Sequence, residues 1–402
     1  MTDAASDPSE APMPLAPVRV AHVITRMILG GAQESTLAIC DALRRRPGWE
    51  PVLITGPPLG PEGELLGEVR RRGVPCFLVP QLRRAVNPVR DTAAFAHLVA
   101  LFRRLRPAIV HTHSSKAGIL GRFAARAARV PVIIHTVRDL PFHPHQSGLQ
   151  NAVYIAAERV AARVTDHFTA VARAMVDGAL AAGVGTPEDF TVIRSGIDVD
   201  AYADAGRHRE EVRRRFGFGP QDFVIGKVAR LFNLKGHRYL LDAAPAIVRA
   251  CPRAKFLFLG DGILREALEA RAGALGVRDR IVFAGLVPPD EVPACISGMD
   301  MLVHASLHEG LARVLVQALL CEKPVVTFDL DGAPEVVLDG VTGRLVPARS
   351  VDGLAQAAIW TIENYPQAVE MAREGRRRFA DEFRIETAVA RTEALYRRLL
   401  GR

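Results

Sequence analysis

Hydrophobic and polar positions alternate along this chain in two patterns. Short runs rich in β-branched residues read as buried strands, and the stretches between them carry apolar residues at helical spacing. In the first half the strand-like runs are Val18–Ile24, Val52–Thr55, Ala108–His111, Pro131–Thr136, His167–Val171 and Phe190–Ile193. Helical stretches between them include Ala32–Arg46, Pro88–Leu105, Ala117–Ala128 and Leu149–Arg163. The second half repeats the pattern, with strands at Phe223–Ala229, Lys255–Leu259, Ile281–Ala284, Met301–His304, Val325–Phe328 and Arg344–Val346. Its helices include Gly236–Ala250, Ile263–Ala274, Leu311–Cys321 and Val351–Ile362. Apolar strands separated by helices predict parallel sheets covered on both faces, because each parallel crossover needs a helix.

The predicted fold is therefore α/β, with two doubly wound Rossmann-like domains of similar size facing a cleft. The turn-forming stretch Ser195-Gly196-Ile197-Asp198 marks the boundary between them. The expected divisions are a disordered tail at 1–17, an N-terminal domain at 18–195, a C-terminal domain at 196–366, and closing helices at 367–402 that pack back toward the N-terminal domain. Ligands of doubly wound folds bind beyond the carboxyl ends of the strands, which places the site in the cleft.

Composition narrows the classes. At 402 residues and 49% hydrophobic, the chain can build two cores, and collagen-like, disordered and small disulfide-bonded classes are excluded. No run approaches the roughly 18 uninterrupted apolar residues of a membrane span. Lys plus Arg is 52 against 44 Asp plus Glu, a net charge of +8. The lysines are Lys116, Lys227, Lys235, Lys255 and Lys323, and the rest of the basic residues are arginine, a bias that fits a GC-rich coding sequence. The charge favours anionic partners: nucleotides, phosphorylated lipids or an anionic membrane face. Clusters such as Arg44–Arg46 and Arg70–Arg72 end helices and lack interleaved aromatics, which argues against nucleic acid. The five cysteines are widely spaced without a C-x-x-C, which argues against disulfides and structural zinc and fits a reducing cytosol. Residues 1–17 lack the features of a signal peptide. The expected location is cytoplasmic, with peripheral contact at the inner face of the membrane.

Five motifs lie at predicted strand ends. Gly30-Gly31-Ala32-Gln33 follows the first strand and opens a helix, so backbone can approach a ligand there; a plain tight turn explains it too. It is not the G-x-G-x-x-G of dinucleotide binding. His111-Thr112-His113-Ser114-Ser115-Lys116 gathers imidazoles, hydroxyls and an ammonium at one strand end, although a serine here also suits a helix cap. His-x-His supplies two metal ligands and no nearby cysteine or carboxylate completes a site, so no metal is expected. His135-Thr136-Val137-Arg138-Asp139 falls on the same predicted cleft face. Arg230 and Lys235 bracket a turn into a helix, which suits a diphosphate held by two cations and helix N–H groups. Glu309-Gly310-Leu311-Ala312-Arg313 and Gln317 join a strand, a loop and a helix N-terminus. Asp329-Leu330-Asp331 has metal-motif spacing but reads as a turn.

With Gly260-Asp261-Gly262 and Lys323-Pro324-Val325-Val326, these motifs in this order resemble the retaining glycosyltransferases of family 4, which have the GT-B fold. The resemblance runs from Val18 to the C-terminus, and the Gly30-Gly31 loop and the His113 to Gly118 cluster resemble a subgroup of bacterial polysaccharide pathways. It implies a nucleotide-sugar donor, with UDP favoured, and a glycan or lipid-linked acceptor, with no cofactor and no metal. Arg230, Lys235, Glu309 and His135 are the implied catalytic residues. Gly30, Gly31, Gly260, Asp261, Gly262, Gly310, Leu311, Ala312, Arg313 and Gln317 are the implied donor contacts. His113, Ser114, Ser115, Lys116 and Arg138 are the implied acceptor-side residues.

Three departures stand out. Gln317 replaces the family's glutamate and loses its charge and one acceptor, which implies weaker nucleotide binding. Ala312 replaces a frequent proline. Arg138 and Asp139 stand where relatives often have histidine and glycine, and an arginine there suits an anionic acceptor or an acidic sugar. The rival readings are a nucleotide-sugar epimerase or hydrolase and a non-catalytic nucleotide-sugar-binding partner.

Overall fold

The computed structural model describes residues 16–60 and 63–401, so the tail expected at 1–17 lies almost wholly outside the described residues. The first sheet contains β1 (Val18–Arg26), β2 (Trp49–Gly56), β3 (Cys76–Leu78), β4 (Ile109–His113), β5 (Val132–Val137), β6 (His167–Ala170) and β7 (Phe190–Val192). The second contains β8 (Phe223–Val228), β9 (Ala254–Leu259), β10 (Ile281–Gly285), β11 (Met301–His304), β12 (Val325–Phe328) and β13 (Arg344–Val346). Their spatial orders are β3-β2-β1-β4-β5-β6-β7 and β10-β9-β8-β11-β12-β13. Both sheets therefore follow the same winding, which reverses between β1 and β4 in one and between β8 and β11 in the other. At such a reversal the connecting helices diverge to opposite faces and leave a crevice at the strand ends.

Sequence patterning located twelve of these strands; β3 is the exception. It is a three-residue edge strand with an exposed Leu78, too short and too open to show a buried run. Helices at Leu66–Arg71, Arg173–Ala181, Val199–Ala203, Arg209–Arg215 and Val292–Ser297 were also not anticipated. Most are a turn or two long, and periodicity needs more residues than that to register.

The expectation for 367–402 needs correction. Helix Tyr365–Phe379 stays on the second domain, where Gly375 lies against Leu319 and Ala372 joins that domain's core. Only the final helix, Ile385–Leu399, crosses back. Its Val389 and Tyr396 are fully buried with Val18, Val20, Ile109 and Ile134 of the first domain. The crossover happens beside the linker, where Ile197 N–H donates to the Phe383 carbonyl (2.7 Å) and Gly196 lies close to the Ile385 backbone.

Other contacts hold the domains together near the site. Glu335 accepts from the backbone N–H groups of Arg173 (2.9 Å) and Ala174 (2.8 Å) and pairs with Arg194 (2.7 Å). It thus caps a helix of the other domain, where a carboxylate is favoured by the unpaired N–H groups and the dipole. His308 and His145 each reach a backbone carbonyl across the cleft, Leu140 (3.0 Å) and Leu307 (3.1 Å). The tightest approach is at Gly310, where an added Cβ would lie 1.7 Å from the Arg138 carbonyl oxygen. That obstacle is backbone, and no rotamer change relieves it. Gly310→Ala is expected to open the domains by a fraction of an ångström or more and to lower kcat/KM by about 100-fold, the cost of a small misplacement of reacting groups. An unchanged rate would show that the observed approach is not needed for turnover.

Candidate active site in the interdomain cleft

A cleft of about 1000 Å³ opens where the two sheets reverse their winding. Four helices begin after the strands at the two reversals, and three of them start on its walls. They start at Gly31 after β1, Ser115 after β4, His237 after β8 and Arg313 after β11. The N-cap residues Gly30, Ser114, Gly236 and Ala312 make no side-chain capping bond. One first-turn amide is satisfied from afar, Ala117 N–H donating to Thr25 Oγ1 (3.2 Å). The three N-termini at Gly31, Ser115 and Arg313 line the cleft and set up a positive potential suited to an anion.

On the second-domain wall, Lys235 Nζ and Glu309 Oε1 are 2.5 Å apart. Ser306 Oγ donates to the same oxygen (3.0 Å), and the Glu309 N–H donates to Asp331 Oδ2 (2.8 Å). Asp331 has a left-handed φ of 53° and pairs with His308, so it shapes the turn that presents Glu309, as its sequence context predicted. Burial alone would raise the Glu309 carboxyl; the Lys235 ammonium and His304 override it and hold it far below the usual carboxylate range. Glu309 is thus an ionised acceptor able to orient sugar hydroxyls. Arg230 also lines the cleft, its guanidinium over the Phe232 ring at 5.3 Å. Gly310, Leu311 and Ala312 form the loop edge, and Arg313 and Gln317, one helical turn apart, face the same cleft. The Arg313 side chain reaches the first domain, pairing with Glu34 (2.8 Å) and donating to the Gly31 carbonyl (3.3 Å).

Gly260, Asp261 and Gly262 stand elsewhere. They do not line the cleft but support the Arg230 loop from behind. Leu231 N–H donates to the Asp261 carbonyl (3.0 Å), and a Cβ at Gly260, φ 129°, would lie 2.2 Å from the Ala229 carbonyl oxygen. In this structure their role is to brace that loop, and the Asp261 carboxylate pairs with Arg265 (3.2 Å).

The first-domain wall contains Gly30, Gly31, Ser114, Ser115, Lys116, Arg138 and Asp139. Ser114 has φ 69°, an unusual backbone for a non-glycine residue, and shares a hydrogen bond with Thr25 Oγ1 (2.8 Å). Lys116 pairs with Asp91 (2.6 Å). Two predicted residues are displaced from the cleft. His135 is 5% exposed, hydrogen-bonds Thr112 Oγ1 (2.8 Å) and lies tight behind Gly118. The register Thr112↔His135 puts it on the Thr112 face, covered by the helix from Ser115 to Ala127. His113 is fully buried on the opposite face. Strand alternation decides both placements, and the cleft position falls to Arg138, just past the end of β5.

His113 belongs to a buried network that the sequence did not reveal. The register His22↔His111 brings His22 beside His111 and His113, with nitrogen atoms of all three within 4.8 Å of one another. That spacing raises the question of a shared metal ion, but all six ring nitrogens are engaged and a guanidinium borders them. Because Arg138 can only donate, one chain of donors follows. Arg138 donates to His113 Nδ1 (3.4 Å), and His113 Nε2–H donates to His22 Nδ1 (3.0 Å). His22 Nε2–H reaches the Tyr396 hydroxyl (3.4 Å), Tyr396 donates to His111 Nδ1 (2.6 Å), and His111 Nε2–H donates to Thr136 Oγ1 (2.6 Å). Burial, with the Arg138 charge adding to it, pushes His22 down to about 3 and holds His111 and His113 well below their ordinary value. All three are neutral, each in one tautomer.

A second unanticipated group lies beneath Glu309. Lys227 on β8 is fully buried, and its Nζ finds no hydrogen-bond partner among the described residues. Burial pushes its ammonium down to about 7, with Glu309 opposing and Lys235 reinforcing the shift. His304 Nε2 stands 3.6 Å from Glu309 Oε1. A lone lysine inside a strand gives no signal distinguishing it from a surface residue.

Comparison with known proteins agrees with this architecture. Residues 30–196 match the glycosyl transferase 4-like domain, and residues 208–378 match glycosyl transferases group 1. A 2-deoxystreptamine glucosyltransferase of Streptomyces kanamyceticus is 31% identical over 81% of this chain and 87% of its own length. The UDP-Gal:alpha-D-GlcNAc-diphosphoundecaprenol alpha-1,3-galactosyltransferase of Escherichia coli is 26% identical over 94% and 96%. Among solved structures, Anabaena HepE with UDP and glucose superposes with a TM-score of 0.81 at 22% identity, covering 94% of this chain and 99% of that one. The chain belongs to the family-4-like glycosyltransferases and has their GT-B fold.

Two stability predictions come from the buried groups. Tyr396→Phe strands a nitrogen on each of His22 and His111, and is expected to cost about 1–3 kcal/mol in urea unfolding. A neutral result would mean the imidazoles do not depend on that hydroxyl. Lys227 has a depressed value in the folded state, about 7 against an ordinary 10.5. Between those values the unfolded chain binds more protons, so this lysine makes stability rise with pH. Lys227→Met should therefore stabilise by about 1–4 kcal/mol at pH 7, hold that gain at lower pH, and lose it progressively toward pH 10.5. Unfolding at several pH values checks this, and a pH-independent difference contradicts it.

Proposed function

We propose that this chain moves a sugar from a nucleoside diphosphate donor, UDP-linked by preference, to a glycan or lipid-linked acceptor with retention of anomeric configuration. The observation that carries the reading is the convergence of Arg230, Lys235 and three helix N-termini on one cleft, beside an ionised Glu309. That set matches a diphosphate leaving group next to a hydroxyl-bearing ring. The relative from Escherichia coli acts on a diphosphoundecaprenol-linked sugar, which supports a lipid-linked acceptor. Among the described residues no helix is long and apolar enough to cross a membrane. A cytoplasmic protein working at the inner face of the membrane in envelope or exopolysaccharide synthesis fits both points.

In the proposed reaction the bond between the anomeric carbon and the β-phosphate oxygen breaks, and a bond to the acceptor hydroxyl oxygen forms on the same face. The acceptor proton passes to the departing phosphate. Negative charge grows on that phosphate, and fixed donors aimed at growing charge are the main source of acceleration in such sites. In this reading Arg230, Lys235 and the N–H groups of Arg313 and Val314 supply them, and no metal ion or cofactor is needed. Glu309 orients the transferred ring, and Gln317 meets the ribose with an amide.

The test is calorimetric binding of UDP, GDP and ADP to the native protein and to Arg230→Ala/Lys235→Ala. One nucleotide should bind selectively, and the double variant should lose at least about 100-fold in affinity and in kcat, as for removal of preorganised electrostatic contacts. Equal turnover by the double variant would remove both residues from the mechanism. No binding of any nucleotide to the native protein would overturn this reading of the cleft, and nucleotide binding without turnover on any acceptor would favour the non-catalytic reading.

A further inference from the structure

The cations of the cleft are not all alike. Lys235 is matched by Glu309, Lys116 by Asp91 and Arg313 by Glu34. Arg138 is different: its guanidinium donates to Ser195 Oγ (3.0 Å), Thr36 Oγ1 (3.1 Å) and His113 Nδ1 (3.4 Å), all of them neutral, and its Nε finds no partner among the described residues. Burial pulls the Arg138 guanidinium down to about 10, with the like charge of Arg313 reinforcing the shift and Asp139 opposing it, so it remains charged at neutral pH. Asp139, next in sequence, is felt by His308, Lys235 and Arg230 and makes no ion pair with Arg138. The imidazole behind Arg138 is kept neutral by burial, so the network gives position without compensating charge.

A partly buried cation on a cleft wall, held rigidly by neutral groups, is costly unless an anion arrives. Building on the glycosyltransferase reading above, we propose that Arg138 receives a second anionic group besides the donor diphosphate. That group is a carboxylate or phosphate carried by the transferred sugar or by the acceptor. The guanidinium has hydrogens left after its three bonds and a planar fork that matches either oxyanion. Thr36, in the second turn of the helix that starts at Gly31, and Ser195, at the interdomain linker, fix the plane of that fork.

The experiment compares charged and neutral ligand pairs on the native protein, Arg138→Gln and Arg138→Lys. The donor arm measures the ratio of dissociation constants for UDP-glucuronate and UDP-glucose. The acceptor arm, with UDP present, measures the ratio for a short-chain prenyl diphosphate N-acetylglucosamine and its uncharged methyl glycoside. In one arm the native protein should favour the charged member by at least about tenfold, Arg138→Gln should abolish that preference, and Arg138→Lys should restore part of it. The arm that responds identifies the source of the anion. Thermal unfolding of both variants verifies that they fold, and Arg138→Lys keeps the test informative if Arg138→Gln does not. Charge preferences that are absent from the native protein, or unaffected by Arg138 in both arms, overturn the proposal while leaving nucleotide binding intact. Loss of UDP binding by the native protein would instead overturn the underlying reading of the cleft.

Discussion

The constraint on which the site depends is the reversal of winding in each sheet. It occurs between β1 and β4 and between β8 and β11, and the two reversals face each other. Four helices start there with no side chain of their own N-cap residue closing them. In a helix with nothing to bind, a serine, aspartate or asparagine normally satisfies these N–H groups, and leaving them open costs stability. Here the open ends are concentrated where a phosphate-bearing ligand can satisfy them. The same arrangement explains the placement of Arg230, Lys235, Glu309 and Gln317, which follow strand ends at a reversal, while Arg138 follows the neighbouring β5.

Several close contacts join the domains beside the cleft. Gly310 admits the Arg138 backbone, Glu335 caps a helix of the opposite domain, and Arg313 reaches Glu34. The final helix ties the second domain's C-terminal segment into the first domain's core through Tyr396 and Val389. Tyr396 also stands in the hydrogen-bond chain that ends at Arg138, so the helix that closes the fold helps to position a cleft residue. In a region of low polarity such a chain must be satisfied throughout, and its direction follows from the one member that can only donate.

Much of the architecture was legible in the chain itself. Apolar runs of strand length alternating with helical periodicity gave two parallel sheets, and the polar clusters after the strands marked the cleft. Lys235, Glu309, Arg230 and Gln317 were found because each follows a strand and lies near a helix start, a local pattern. Misplacements came where position depends on which face of a strand a side chain takes. His135 and His113 are both in buried strands, and the alternation that sends one behind Gly118 and the other toward His22 is set by register with neighbouring strands. Gly260 and Gly262 have the conformational signature of a ligand loop, yet the backbone they approach is that of residues 229–231.

The sequence by itself determined the fold class, the repeated strand and helix order and the loops that carry charge, because these depend on spacings of a few residues. Tertiary structure alone decided that His22 joins His111 and His113, that Lys227 is buried beneath Glu309, and that Arg138 faces the cleft with only neutral partners. Those facts depend on pairing between segments far apart in the chain, and hydrophobic periodicity contains no term for it.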